Sequence, residues 1–147
     1  MTQPLPPAAQ RVLALDHGSA RIGVALSDEL GMFAHARPAI RGLGGAAAIA
    51  AVAKIVAAES VTEVLVGLPL TLAGGASEQT EAARGFIASL RGALQVPVRE
   101  CDERYSSVQA GRTVKGAARR KSGELDSAAA ALILQSVLDA RRPETAR

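Results

Sequence analysis

The chain has 147 residues with a formal net charge of +3; 48% are hydrophobic, 2% aromatic, and one is a cysteine. That length suits one domain around one core, the hydrophobic content excludes a wholly disordered chain, and lone Cys101 excludes an internal disulfide. No apolar run approaches the roughly 18 residues of a membrane span, and the opening Met-Thr-Gln-Pro-Leu-Pro-Pro lacks the basic and apolar regions of a secretory signal. The expectation is a soluble cytoplasmic protein, with a tail over 1–10, one domain over 11–142 and a second tail over 143–147.

In chain order, Arg11 to Asp16 reads as a buried strand ending at a carboxylate, His17 to Ala20 as a turn, and Arg21 to Ser27 as a second strand. Strands joined by so short a turn pair as an antiparallel hairpin. A third strand is predicted over Phe33 to Ile40, with Pro38 favouring a sheet edge. Gly42 to Gly45 punctuates the chain before a helix whose Ile49, Val52, Ala53 and Val56 share one face.

Thr62 to Gly67 is a β-branched strand, followed by a loop over Leu68 to Gly75. Ser77 is a predicted N-cap, with Glu78 and Glu81 at the positive end of the next helix. The apolar stripe of that helix is Ala83, Phe86, Ile87, Leu90 and Leu94. Val96 to Cys101 is a further strand, and a short helix is expected from about Ser107. The last helix is predicted from Asp126 to Ala140, with Ala130, Ile133, Leu134, Val137 and Leu138 inward. This order implies an α/β fold: a mixed sheet whose first three strands form an antiparallel meander, flanked by helices.

Charge is unevenly spread. Between Arg104 and Lys121 the chain carries Arg104, Arg112, Lys115, Arg119, Arg120 and Lys121, six cations with no Asp or Glu. Such a strip suits phosphates; a solvated basic loop with no partner is the plainer alternative. The scarcity of aromatics argues against a base-stacking platform of the single-strand-binding type.

Three carboxylates converge if the first, fourth and fifth strands run parallel. Asp16 ends the first, Glu103 follows the fifth with adjacent Asp102 as its alternative, and Asp126 opens the last helix; ligands gather at such C-terminal strand ends. Acidic groups brought together there suit Mg²⁺ or Mn²⁺, ions that can activate water against a phosphodiester. Each residue also has a structural reading: Asp126 as an N-cap, Asp16 as a turn residue, Glu103 as a surface partner of Arg104. His17 and His35 read as surface and structural residues, Cys101 as an inert buried thiol, and Ser106 and Ser107 as caps or phosphate contacts.

Together the motifs resemble a known family. Asp16-His17-Gly18-Ser19-Ala20-Arg21-Ile22-Gly23-Val24-Ala25 is similar to the D-x-G-x-x-R-I-G-V-A opening of the YqgF family, RNase H-like bacterial proteins linked to pre-16S rRNA processing and Holliday-junction resolution. Val66-Gly67-Leu68-Pro69-Leu70 with Gly74 resembles its V-G-L-P-L loop, although Thr71-Leu72-Ala73 replaces the usual Asn-x-Asp. Asp102-Glu103-Arg104-Tyr105-Ser106-Ser107 resembles D-E-R-x-[ST]-[ST], and Asp126-Ser127-Ala128-Ala129-Ala130 resembles D-x-x-A-A.

The resemblance implies an RNase H-like fold and a metal-dependent nuclease whose acidic triad and metal ligands are Asp16, Glu103 and Asp126. It prefers Glu103 over Asp102. Arg21, Arg104, Ser106 and Ser107 become phosphate contacts, with Arg112, Lys115, Arg119, Arg120 and Lys121 holding nucleic acid. The basic loop from Gly116 to Gly123 is expected to close over the substrate. The implied role is 5′ maturation of precursor 16S rRNA on ribosomal subunit precursors, by a monomer or weak homodimer with no membrane partner. The rival readings are a Holliday-junction resolvase, a non-catalytic RNA- or ribosome-binding factor, and a sugar-kinase or actin-like ATPase, which would need two such domains.

Overall fold

The computed structural model describes residues 10–18, 20–41, 44–69, 77–102 and 127–142. Strands β1 (Val12–His17), β2 (Arg21–Ser27) and β3 (Ala34–Arg41) lead into α1 (Gly45–Ala58). Then come β4 (Glu63–Leu68), α2 (Glu78–Ala93), β5 (Val98–Asp102) and α3 (Ala128–Arg141). The sheet order is β3-β2-β1-β4-β5. Strands β1, β2 and β3 form an antiparallel meander, while β4 and β5 run parallel to β1. The C-terminal ends of β1, β4 and β5 therefore lie at one end of the sheet, which meets the condition set above for the carboxylates to converge.

Alternation along each strand builds two cores. Leu13, Leu15, Val24, Val64, Val66 and Val98 pack beneath α1 and α2 through Val52, Phe86, Ile87 and Leu90. Val12, Ala14, Ala25 and Leu65 face α3, meeting Ala130, Leu134 and Leu138. With no tryptophan in the chain, the filling is aliphatic apart from Phe86, and close packing of such side chains makes each deletion costly.

The predicted stripes are buried in α2 and α3 except for partly buried Leu94 and Val137, whereas α1 buries Val52 and Ala48 and leaves Ile49, Ala53 and Val56 partly buried. Ala83, Phe86, Ile87 and Leu90 line the inner face of α2, and Ala130, Ile133, Leu134 and Leu138 that of α3. Ser77 caps α2 in a reciprocal box: its hydroxyl accepts from the Thr80 N–H, and its own N–H donates to the Thr80 hydroxyl. Strand ends shift by one or two residues from the sequence reading, and Asp102 joins β5. Pro38 does lie on an edge strand, next to a bulge that shifts the β2–β3 register between Ile22 and Val24. Proline is tolerated there because no ladder hydrogen bond is asked of it. The predicted tails, the short helix from Ser107 and the Gly116 to Gly123 loop lie outside the described residues.

Helix α3 is tied to the sheet along its length. Gln135 accepts from the Ala34 N–H (2.8 Å) and donates to the Met32 carbonyl (3.1 Å). At the far end, Arg141 makes paired contacts of 2.7 and 2.9 Å to Glu63, which Arg99 also reaches at 2.8 Å. The Arg141 hydrogen bond, with both guanidinium charges, lowers the Glu63 pKa against the opposing effect of burial. A carboxylate whose pKa falls on folding stabilises the fold above its unfolded value and loses that contribution as pH drops through the folded one. Glu63→Gln should therefore flatten the acid limb of a stability-versus-pH curve measured by urea unfolding, with little change in the curve's shape at neutral pH and above.

The β1–β2 turn depends on a glycine. Gly18 donates its N–H to the Arg21 carbonyl at 2.9 Å, and a Cβ on Gly18 would stand 2.8 Å from that same oxygen. Backbone cannot swing aside as a side chain can. Gly18→Ala is expected to cost about 1–2 kcal/mol in urea denaturation, while Gly85→Ala, with open space around its Cβ in α2, should stabilise by roughly 0.5–1 kcal/mol.

Candidate active site

Asp16 is the penultimate residue of β1, at the sheet edge where the parallel strands end. Its direct neighbours are both glycines: Gly23 on β2 and Gly67 on β4. Asp16 has the parity of Val12 and Ala14, so its side chain projects on the α3 side. The carboxylate thus stands partly exposed on a strip where the adjoining strands carry no side chain. In the sequence Gly67 and Gly23 are only members of a strand and of the motifs; the register reveals what they leave open.

Cys101 lies beside Gly67 on the same side of the sheet. Burial pushes its thiol pKa up and Glu63 adds to this, against the opposing Arg141 charge. It therefore stays a neutral thiol at neutral pH, the inert group expected from the sequence. Asp102 is different. It pairs with Leu68, whose side chain belongs to the core beneath α1 and α2. Alternation sends Asp102 to the side away from Asp16, which removes it as a substitute for Glu103.

Ser127, buried and immediately before α3, links that helix to the meander. Its hydroxyl accepts from the Val24 N–H at 2.8 Å and donates to the Arg37 carbonyl. These backbone groups face each other where the β2–β3 register has just shifted, so the hydroxyl fills a gap in the ladder. Val24 follows Gly23, the partner of Asp16. The start of α3 is thereby pinned within one residue of the Asp16 register. The sequence reading placed the cap at Asp126; the N-cap is Ser127, with its side chain committed to the sheet rather than to the helix. Asp126 itself lies outside the described residues.

Arg21 opens β2, exposed, directly opposite exposed Arg41 on β3 at the same end of the sheet as Asp16. His17 projects opposite to Asp16 and rests on Phe86, ring centroids 4.8 Å apart. Burial lowers the His17 pKa, partly offset by the Asp16 charge, so the imidazole is neutral near pH 7. His17 is thus half-buried against α2 rather than a surface residue, and His35 is exposed on the edge strand. Glu103, Arg104, Ser106, Ser107, Arg112, Lys115, Arg119, Arg120 and Lys121 lie outside the described residues. Among the described residues no three His, Cys, Asp or Glu side chains form a metal-binding group, and no helix is long and apolar enough to cross a membrane.

The architecture is RNase H-like, a mixed sheet with an aspartate next to last in its central strand. RuvC of Thermus thermophilus in complex with a Holliday junction substrate shares the fold, with TM-score 0.58 and 17% identity over 90% of this chain and 95% of that one. The chain belongs to the RuvX family, described as Holliday junction resolvase, whose model matches residues 10–140. It is accordingly a hydrolase of the phosphodiester-cleaving class. A Koribacter versatilis protein named "Putative pre-16S rRNA nuclease" is 40% identical over 134 residues, 89% of this chain and 88% of the relative. A Myxococcus xanthus protein of the same name is 42% identical over 137 residues, 90% of each.

Proposed function

We propose that this protein is a divalent-metal-dependent nuclease that matures the 5′ side of precursor 16S rRNA in the cytoplasm, acting at Asp16, Glu103 and Asp126. The observation that carries the reading is the seat of Asp16: a partly exposed carboxylate at the end of β1 between Gly23 and Gly67, beside the start of α3. The relatives that match along nearly the whole chain bear the name of that activity.

The donor chemistry fits a hard cation. The described donor is a carboxylate oxygen with room on both flanks, and Cys101, two strands away across Gly67, is held protonated; oxygen donors of this kind select Mg²⁺ or Mn²⁺. Asp16, Glu103 and Asp126 would hold the ion. When bound, such an ion lowers the pKa of a water and offsets charge on the phosphate. Ser127 fixes the start of α3 beside the Asp16 register. Arg21, Arg104, Ser106 and Ser107 hold the phosphate by charge and hydrogen bonding. Arg112, Lys115, Arg119, Arg120 and Lys121 track the neighbouring backbone, so binding weakens steeply with salt.

The test is cleavage of a 16S precursor RNA and, separately, of a four-way DNA junction, each with Mg²⁺, Mn²⁺ or chelator. Metal-dependent cutting of the RNA is expected. Cutting of the junction alone would replace this reading with a resolvase, which the family description and the RuvC-like fold keep in view; that enzyme would cut two symmetric strands as a dimer. Binding that survives chelation with no cleavage under any ion would leave a non-catalytic RNA-binding factor.

A further inference from the structure

A hollow of about 570 Å³ opens on the His17 side of the sheet, at the end of β1 and between α1 and α2. It lies within the roughly 300–1,000 Å³ typical of small-molecule sites. Phe86 and His17 form its aromatic floor, and Gly18, Ala20, Gly45 and Ala82 wall it with almost no side-chain bulk. Arg21 borders it and no acidic residue is among its described lining. A second hollow of the same size shares His17, Gly45, Ala82 and Phe86 and continues along α2.

We propose that this hollow receives one nucleobase of the bound strand, next to the phosphate held at Asp16. The inference rests on the nuclease reading and adds a subsite to it. Asp16 and His17 are consecutive, their Cα atoms about 3.8 Å apart, and they project to opposite sides of the sheet. A strand crossing the end of β1 can therefore set a phosphate on one side and its base on the other. The occupant the walls select is flat, unsaturated and attached to an anion. The small residues leave a cleft, the His17 ring and Phe86 offer stacking and edge contacts, and Arg21 meets the phosphate. An acidic or cationic ligand lacking a ring would leave the aromatic floor unused.

The experiment scans the fluorescent base 2-aminopurine along a single-stranded RNA from the 5′ side of the 16S precursor, bound to the full chain in chelator. Ala82→Leu fills the hollow from an exposed helical position where leucine is well tolerated. Ala88→Leu, exposed on the same helix and outside both linings, is the control. At one position the fluorescence should be quenched severalfold on binding, equally in wild type and Ala88→Leu, with the quench lost in Ala82→Leu. In the cleavage assay, an abasic nucleotide there should raise KM about tenfold for wild type and leave Ala82→Leu no worse than on intact RNA. Quenching at no position, or quenching unaltered by Ala82→Leu, overturns the subsite. RNA that is quenched but never cut under any divalent ion supports the subsite while refuting the hydrolytic reading, so the two failures are distinguishable.

Discussion

Asp16→Asn should abolish metal-dependent cleavage while leaving the fold intact. The substitution keeps the size and removes the negative charge from a carboxylate that stands between two glycines on a partly exposed strip. No described ion pair or core contact is lost, so urea denaturation should shift by no more than about 0.5 kcal/mol. Activity should behave differently. Metal-assisted activation and charge neutralisation contribute several kcal/mol to the barrier, and their loss corresponds to about a thousandfold or more in kcat. Cleavage measured at saturating RNA with Mg²⁺ or Mn²⁺ checks this, and binding in chelator should be retained or strengthened as one negative charge leaves the site. A variant still cutting within tenfold of wild type would remove Asp16 from the chemistry. Because Asp16→Asn is purified alongside wild type, the comparison also excludes a contaminating nuclease.

The second large effect is expected at Ser127, where stability and activity should fall together. In Ser127→Ala the buried Val24 N–H loses its acceptor and the Arg37 carbonyl its donor. Leaving buried polar groups unsatisfied costs about 1–3 kcal/mol each, so a loss of about 2–4 kcal/mol is expected in urea unfolding. The same hydroxyl holds the first turn of α3 against the strand next to Asp16, so kcat should fall by about 10- to 100-fold, the size seen when groups orienting metal ligands are removed. KM should move little. Ser127→Thr retains the hydroxyl and should recover part of both losses, whereas a merely structural residue would let kcat return fully once temperature is lowered to restore folding. A Ser127→Ala protein with wild-type stability would show that the bulge is satisfied in another way.

How much of this was legible beforehand differs by residue type. Strand and helix identities followed from periodicity because burial is a local pattern: Leu13 and Leu15, or Phe86, Ile87 and Leu90, repeat at the spacing of the surface they cover. The Ser77 cap was legible because its partner Thr80 is three residues away. Ser127 was not, because its partners Val24 and Arg37 lie 103 and 90 positions distant, and serine before an alanine run reads simply as a helix start. Gln135 escaped for the same reason, its partners Met32 and Ala34 being contributed by the far hairpin. His17 read as a surface residue because nothing in its neighbourhood announces Phe86.

What the sequence alone determined is the list of elements, the mixed order of strands and helices, and the carboxylate close to the end of β1, since each follows from residues close together in the chain. What only the tertiary structure decided is which residues stand beside one another across strands. Register placed Gly23 and Gly67 on either side of Asp16, turned Asp102 to the opposite side, and set His17 over Phe86. The physical reason is that side chains alternate with a period of two. A shift of one residue between neighbouring strands exchanges every face, and that shift is selected by the packing of both cores and by the bulge at Val24, not by any segment acting alone.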